Sequence, residues 1–294
     1  VPDGRQRALI LHGGGSAGNA WEIGVVAGLL DAGIDATDAD LIVGTSAGAT
    51  AAAQLTAASP ADLLAAVLSP PTPERTGATP GARRGPAATT DLLERTGRII
   101  AAATDAADMR RRMGAAAIEL DDALGDSRSE RWRATVAMRL PGARWPDQPL
   151  LITAVDARTG EPVAFDRDSG VELVDAVAAS TSSGPAYRIG AGRYIDGGYR
   201  RNENADLASG YARVLILSPF GGRSRHPPEW GMQLSAQVDE LRAGGSRVEA
   251  VFPDENALAA FADDMMSPAS RPPAARAGFE HGKVLAAQLA GFWR

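Results

Sequence analysis

The strongest chemical signal in the chain is a serine set between glycines, Gly44-Thr45-Ser46-Ala47-Gly48. It follows the buried-strand run Asp40-Leu41-Ile42-Val43 and precedes Ala49 to Ala58, an alanine-rich stretch of high helix propensity. A sharp strand-to-helix turn pushes a hydroxyl out at its apex, and flanking glycines relieve the crowding there. The helix behind Ser46 aims its positive dipole end at the nucleophile. An ordinary N-cap serine is the plainer reading, but the strand–turn–helix context favours a nucleophile.

A second glycine cluster, Gly13-Gly14-Gly15-Ser16-Ala17-Gly18, follows the strand-like run Ala8-Leu9-Ile10-Leu11. Its G-x-G-x-x-G spacing suits a dinucleotide site, which needs a carboxylate at the end of the next strand. That strand ends Val43-Gly44-Thr45-Ser46 and has none. The other reading is an oxyanion hole. Acyl transfer puts charge on a former carbonyl oxygen, and backbone N–H groups of Gly13, Gly14 and Gly15 can be turned toward it.

A serine nucleophile needs a base. Asp196, in Tyr194-Ile195-Asp196-Gly197-Gly198, is a carboxylate at a strand end in a tight turn, and by itself reads as a common turn residue. Three histidines compete with it. His226 lies in a loop and fits the order Ser, acid, His of a triad hydrolase. His281 sits mid-helix beside Glu280 and reads as solvated, whereas His12 reads as a strand-end residue.

Around these residues the first 58 positions read strand–helix–strand–helix, the pattern of a parallel α/β sheet. The first of these helices is expected from about Ala20 to Ala32. Ser69 to Pro86 carries too many prolines and glycines for regular structure, and a helical stretch is expected from about Thr90 to Leu124. Leu150–Val155 and Val163–Phe165 flank the turn Asp156–Gly160 and predict an antiparallel hairpin. A short helix is expected over Val171–Ala179, strands over Val214–Leu217 and Val248–Val251, and a final helix from about Ala274 to Phe292. This organisation predicts one domain with a helical and loop insertion at about 69–149, a segment whose composition suits a mobile cover over the site.

Composition narrows the function. With 45% hydrophobic and 22% charged residues the chain is an ordinary globular protein. A net charge of −6 argues against a nucleic-acid partner. The absence of cysteine excludes thiolate chemistry, and three scattered histidines predict no metal site. No apolar run reaches the ~18–20 residues of a membrane-spanning helix, so a cytoplasmic or membrane-peripheral location is expected. Lys283 is the only lysine, a bias toward arginine that suits a GC-rich bacterial genome. Arg110-Arg111-Arg112 offers a membrane-surface contact, although a solvated helix face balanced by Asp105, Asp108, Asp121 and Asp122 is the simpler expectation.

Glycine loop, G-x-S-x-G and D-G-G stand in the order found in patatin-like phospholipases, and the chain resembles that family over about residues 8 to 220. Ala178-Ala179-Ser180-Thr181-Ser182-Ser183-Gly184-Pro185 looks like the family's A-S-x-x-x-P stretch. The resemblance implies a three-layer α/β/α sandwich around a mainly parallel sheet, and a Ser-Asp dyad that hydrolyses acyl esters of lipids without histidine or cofactor. On it, Ser46 is the nucleophile and Asp196 the base. Gly13, Gly14 and Gly15 hold the oxyanion, while Gly44, Gly48, Gly197 and Gly198 shape the two turns. The acyl-enzyme is then hydrolysed by a water activated by Asp196. The family's loop usually begins with Asp and carries Arg or Lys before its last glycine; here these are His12 and Ala17. Phospholipid and neutral ester are therefore both compatible substrates. A Ser-His-Asp esterase using His226 and a non-catalytic lipid-binding protein remain the alternatives.

Overall fold

The computed structural model describes residues 6–69, 86–125, 127–261 and 264–293. Its strands are β1 (Arg7–Leu11), β2 (Leu41–Gly44), β3 (Leu150–Asp156), β4 (Pro162–Phe165), β5 (Tyr187–Ile189), β6 (Gly192–Asp196), β7 (Arg213–Leu217) and β8 (Arg247–Val251). The first five helices are α1 (Gly15–Asp31), α2 (Ala47–Leu55), α3 (Pro60–Leu68), α4 (Pro86–Ala102) and α5 (Ala106–Leu124). They are followed by α6 (Ser127–Ala137), α7 (Leu173–Ser180), α8 (Leu234–Ala243), α9 (Glu255–Phe261) and α10 (Arg271–Trp293).

Strands β3, β2, β1, β7 and β8 run parallel in that spatial order. They are short apolar runs, as expected of strands buried on both faces. Side chains alternate across the sheet. On one face Leu9, Leu11, Ile42, Ile152, Leu215 and Leu217 pack under α1, α2, α7 and α10. On the other, Ala8, Ile10, Val43, Val214 and Ile216 meet α8 and the turn at Ala205–Ala208, and Val155 meets α5. This is a three-layer α/β/α sandwich around a mainly parallel sheet.

Helix α1 lies between the sheet and α10. Gly24 and Gly28 of α1 face the backbone of α10, and Gly278 and Gly282 of α10 face α1; a methyl at any of the four would overlap the opposing main chain. Small residues thus let the final helix press onto the helix that follows the glycine loop.

Several elements differ from expectation. Helix α1 begins at Gly15, not near Ala20, because the glycine loop turns directly into it. The helical stretch expected over 90–124 consists of two helices, α4 and α5, with a break at Ala103–Asp105. There Asp105 caps α5 by accepting the Asp108 amide at 2.7 Å. Helix α3 starts at a Ser59 cap followed by Pro60. Neither α5 nor α6 is a detached cover. Met109 and Met113 of α5 are buried against Val155 and Ile195, and the Trp132 indole of α6 donates to the Ala178 carbonyl of α7 at 3.1 Å. The core of the proposed cover, residues 70–85, lies outside the described residues.

Candidate active site

The pairing of β3 brings the two chemical motifs together. Ile152 pairs with Gly44 of β2 and with Phe165 of β4, while Ala154 pairs with Val163 of β4 and with Asp196 of β6. A strand residue has only two lateral sides, so β4 takes one edge of β3 and β2 and β6 share the other. Strand β6 is antiparallel to β3 and runs toward the end of β2. It stops at Asp196, two positions beyond the level of Gly44, which is where Ser46 arrives two residues after its own strand. The two motifs meet head-on along one strand edge. Ser46 Oγ donates to Asp196 Oδ2 at 2.8 Å, and Asp196 Oδ1 accepts the Gly198 amide at 2.9 Å.

Ser46 has φ 55° and ψ −118°, a conformation that costs a non-glycine residue about 1–3 kcal/mol. Three features impose it. A methyl on Gly44 would press on the Ala49 backbone, and one on Gly48 would overlap the Leu11 carbonyl. The Ser46 amide also donates to Ser180 Oγ at 2.9 Å, which gives the A-S-x-x-x-P serine a role in holding the turn.

Beneath the turn lies a buried polar cluster. Thr45 Oγ1 and Thr153 Oγ1 are 2.9 Å apart, and Asn204 Nδ2 donates to Thr45 Oγ1 at 3.0 Å and to the Gly197 carbonyl at 3.1 Å. One amide thereby ties the serine turn to the aspartate turn. Asn204 is itself left-handed, with φ 54°. The next residues extend the cluster. Ala205 N–H donates to Gln237 Oε1 at 2.8 Å, and Ser218 Oγ donates to Glu203 Oε1 at 3.1 Å. Burial pushes the Glu203 carboxyl up to about 7.

The glycine loop closes the third side. An ideal Cβ on Gly13 would stand 3.0 Å from Ser46 Cβ and 3.5 Å from its Oγ, so only glycine leaves the serine room. A methyl on Gly14 would press on Pro219, and Gly15 takes φ +63° against Met265 and Met266. Among the described residues the Gly13, Gly14 and Ala47 amides donate to no protein acceptor. Ala47 follows the serine, and its N–H is a candidate oxyanion donor with no side-chain signal in the sequence.

A family model described as patatin-like phospholipase matches residues 9–209. The chain belongs to the patatin-like phospholipase family. Membership supports lipid hydrolysis as the activity. A search of curated proteins by sequence returns no match. Among solved structures the chain is similar to VipD from Legionella pneumophila, at TM-score 0.45 and 14% identity over 98% of this chain and 68% of that one. It is also similar to the type III effector protein ExoU, at TM-score 0.41 and 16% identity over 98% of this chain; it spans 54% of ExoU's length.

In this patatin-like chain the histidines stand apart from the Ser46–Asp196 bond. The His226 ring is hydrogen-bonded through Nδ1 to Ser224, two residues away at 2.9 Å, and not to Ser46 or a carboxylate. Burial and the neighbouring Arg225 charge push it down to about 4. His12 is buried behind the glycine loop and is likewise pushed down to about 4 by desolvation. His281, expected in solvent, is half-buried with its ring 6.4 Å from that of Trp21, because α10 packs on α1. The arginine cluster is largely neutralised: Arg111 and Arg112 pair with Asp108, and Arg110 donates to the Gly160 carbonyl at 2.7 Å. Asp121 is buried and pairs instead with Arg188 and Arg193. A cleft of about 660 Å³ opens between the C-terminal end of α4 and residues Arg225–Trp230; neither Ser46 nor Asp196 lines it. Among the described residues no helix is long and apolar enough to cross a membrane.

Proposed function

We propose that the protein is a serine acyl hydrolase of lipid esters that works through a Ser46–Asp196 dyad and an acyl-enzyme. The observation that carries this reading is the 2.8 Å bond from Ser46 Oγ to Asp196 Oδ2, with the second carboxylate oxygen held by Gly198 N–H. Ser46 Oγ attacks the ester carbonyl carbon while its proton passes to Asp196. A carboxylate is too weak a base to deprotonate the hydroxyl beforehand, so transfer accompanies attack. Amides of the Gly13–Gly15 loop and of Ala47 stabilise the oxyanion. The intermediate collapses with cleavage of the ester C–O bond, and the leaving alkoxide takes the proton from Asp196. A water then repeats the sequence on the acyl-enzyme, giving its proton to Asp196 and releasing the fatty acid and free Ser46.

The chain reads as one hydrolase domain that meets its substrate at a lipid surface from the cytoplasmic side. Neither a cofactor nor a metal is needed for the steps above. Ser46→Ala and Asp196→Asn should each lower kcat on a short p-nitrophenyl ester by about three orders of magnitude or more. The double variant should be little worse than either, because the two groups act in one step. Near-wild-type turnover in Asp196→Asn would overturn the dyad.

A further inference from the structure

Arg271, the first residue of α10, reaches the glycine loop from outside the region matched by the family model. Its Nη1 donates to the Ser16 carbonyl at 3.3 Å and to Asn19 Oδ1 at 2.8 Å, in the first turns of α1. Asn19 Nδ2 in turn lies 3.0 Å from Gln54 Oε1 and 3.5 Å from the carbonyl of Ala47, the residue after the nucleophile. Gln54 continues the chain by donating to the Arg139 carbonyl at 2.8 Å, and the Arg139 guanidinium lies over the Trp132 ring.

Arg271 has no counter-charge. Several other half-buried arginines meet carboxylates: Arg188 and Arg193 share Asp121, and Arg200 and Arg201 share Asp206. Among the described residues neither Arg271 nor Arg139 pairs with one. Burial and the nearby Arg139 charge push the Arg271 guanidinium down to about 10. A half-buried cation without a carboxylate partner costs stability, and an anionic ligand reverses that cost. The Nε and Nη2 donors of Arg271 carry no protein partner among the described residues and are open to solvent. Those two donors form the flat edge that grips a phosphate or carboxylate with two parallel hydrogen bonds. The positive end of α1 adds to the same field. The loop itself offers no cation, since position 17 is a buried alanine.

We propose that Arg271 forms an anion subsite beside the glycine loop that takes the phosphate group of a phospholipid substrate. This rests on the hydrolase reading above and makes an anionic lipid, not a neutral glyceride, the preferred substrate. The test compares kcat/KM on phosphatidylglycerol and on uncharged diacylglycerol in the same mixed micelles. Arg271→Gln should lower the ratio of the two about tenfold or more, chiefly through KM on the phospholipid, and Arg271→Lys should retain most of it. An unchanged ratio, or an equal loss on both substrates, would overturn the proposal and leave Arg271 as a brace between α1 and α10. Millimolar inorganic phosphate separates the sources. Competitive inhibition of wild type but not of Arg271→Gln means that the site takes free phosphate, whereas a ratio shift without inhibition means that it needs the lipid headgroup. Binding of Ser46→Ala to phosphatidylglycerol vesicles, with and without Arg271→Gln, reads the subsite independently of the dyad. Loss of vesicle binding in the double variant supports the subsite even if the dyad fails, and equal binding counts against it.

Discussion

Ser46 is held by two glycine contacts, a hydrogen bond to Ser180 and a buried threonine–asparagine cluster, whereas α4 is joined to the body through Arg225 and its packing on α5. The two regions are built differently. The serine turn is over-determined by main-chain groups that cannot move separately, which is what a strained conformation needs in order to persist. The α4 region is held by the packing of Ile99 and Ile100 and by one long side chain, that of Arg225, whose Nη1 donates to Thr96 Oγ1 at 2.8 Å and whose Nη2 donates to the Leu93 carbonyl at 2.7 Å. Chemistry demands placement to within a fraction of an ångström, while admission of a lipid demands a surface that yields. If this contrast is right, damage at the turn should be severe and general, and damage at α4 slight and selective.

Gly48→Ala gives the most severe test. The new methyl would overlap the Leu11 carbonyl of β1, and rigid backbone on both sides leaves no room to adjust. A loss of about 3 kcal/mol or more is expected, read as a fall in denaturant midpoint or as failure to accumulate in soluble form. A variant with wild-type stability would show that the turn is softer than its geometry implies.

Asn204→Ala should cost somewhat less. It strips a donor from Thr45 Oγ1, Thr153 Oγ1 and the Gly197 carbonyl, and places alanine at φ 54°. Unfolding free energy should fall by about 2–4 kcal/mol. Because Gly197 follows Asp196, kcat should fall as well. Stability lost with kcat intact would mean that the cluster supports the fold and not the dyad.

Much of the site was legible in the sequence because its parts are local. A strand run, two glycines around a serine and an alanine-rich helix declare a turn within ten residues, and D-G-G declares another. The cluster beneath them was not legible. Thr45, Thr153 and Asn204 are common residue types separated by 108 and 51 positions, and only the pairing of β2, β3 and β6 unites them. The Ala47 amide leaves no trace in side-chain chemistry. Arg271 was hidden for the same reason as the cluster: the small-residue contact of α1 with α10 brings it to a loop some 255 positions earlier. The break between α4 and α5 leaves little mark in the sequence, because the stretch is helix-forming on both sides and its signal is the Asp105 cap.

The buried side of the comparison also carries a pH signature. Glu203 is fully buried, and desolvation pushes its carboxyl up to about 7 from the ordinary 4.5 of a solvated glutamate. The folded state therefore binds its proton more tightly than the unfolded chain. Its contribution is fully present below the unfolded value and is lost as pH rises through 7. Glu203→Gln removes that loss. Relative to wild type, the variant should gain about 2–3 kcal/mol on moving from pH 5 to pH 8, measured by denaturant unfolding at both values. Parallel pH dependence in the two proteins would mean that Glu203 is neutralised by other means.

Arg225→Ala probes the yielding side and should have the smallest effect. Two charge-assisted bonds to the surface of α4 are lost, worth about 1 kcal/mol in such a setting. Hydrolysis of a short ester should stay within about a factor of two, since Arg225 touches neither Ser46 nor Asp196. Long-chain esters should respond more, because α4 and Arg225–Trp230 are the two walls of the 660 Å³ cleft. The same substitution has a second readout. The His226 ring, folded value about 4 against 6.5 unfolded, favours its neutral form in the native state, so its contribution to stability is present above 6.5 and is lost as pH falls toward 4. Removing the Arg225 charge lets the folded value rise, which narrows the gap. The fall in Tm between pH 7 and pH 5 should therefore be smaller in Arg225→Ala than in wild type. An equal loss of short- and long-chain turnover, together with an unchanged pH slope, would place α4 with the rigid part of the molecule and end the contrast between the two regions.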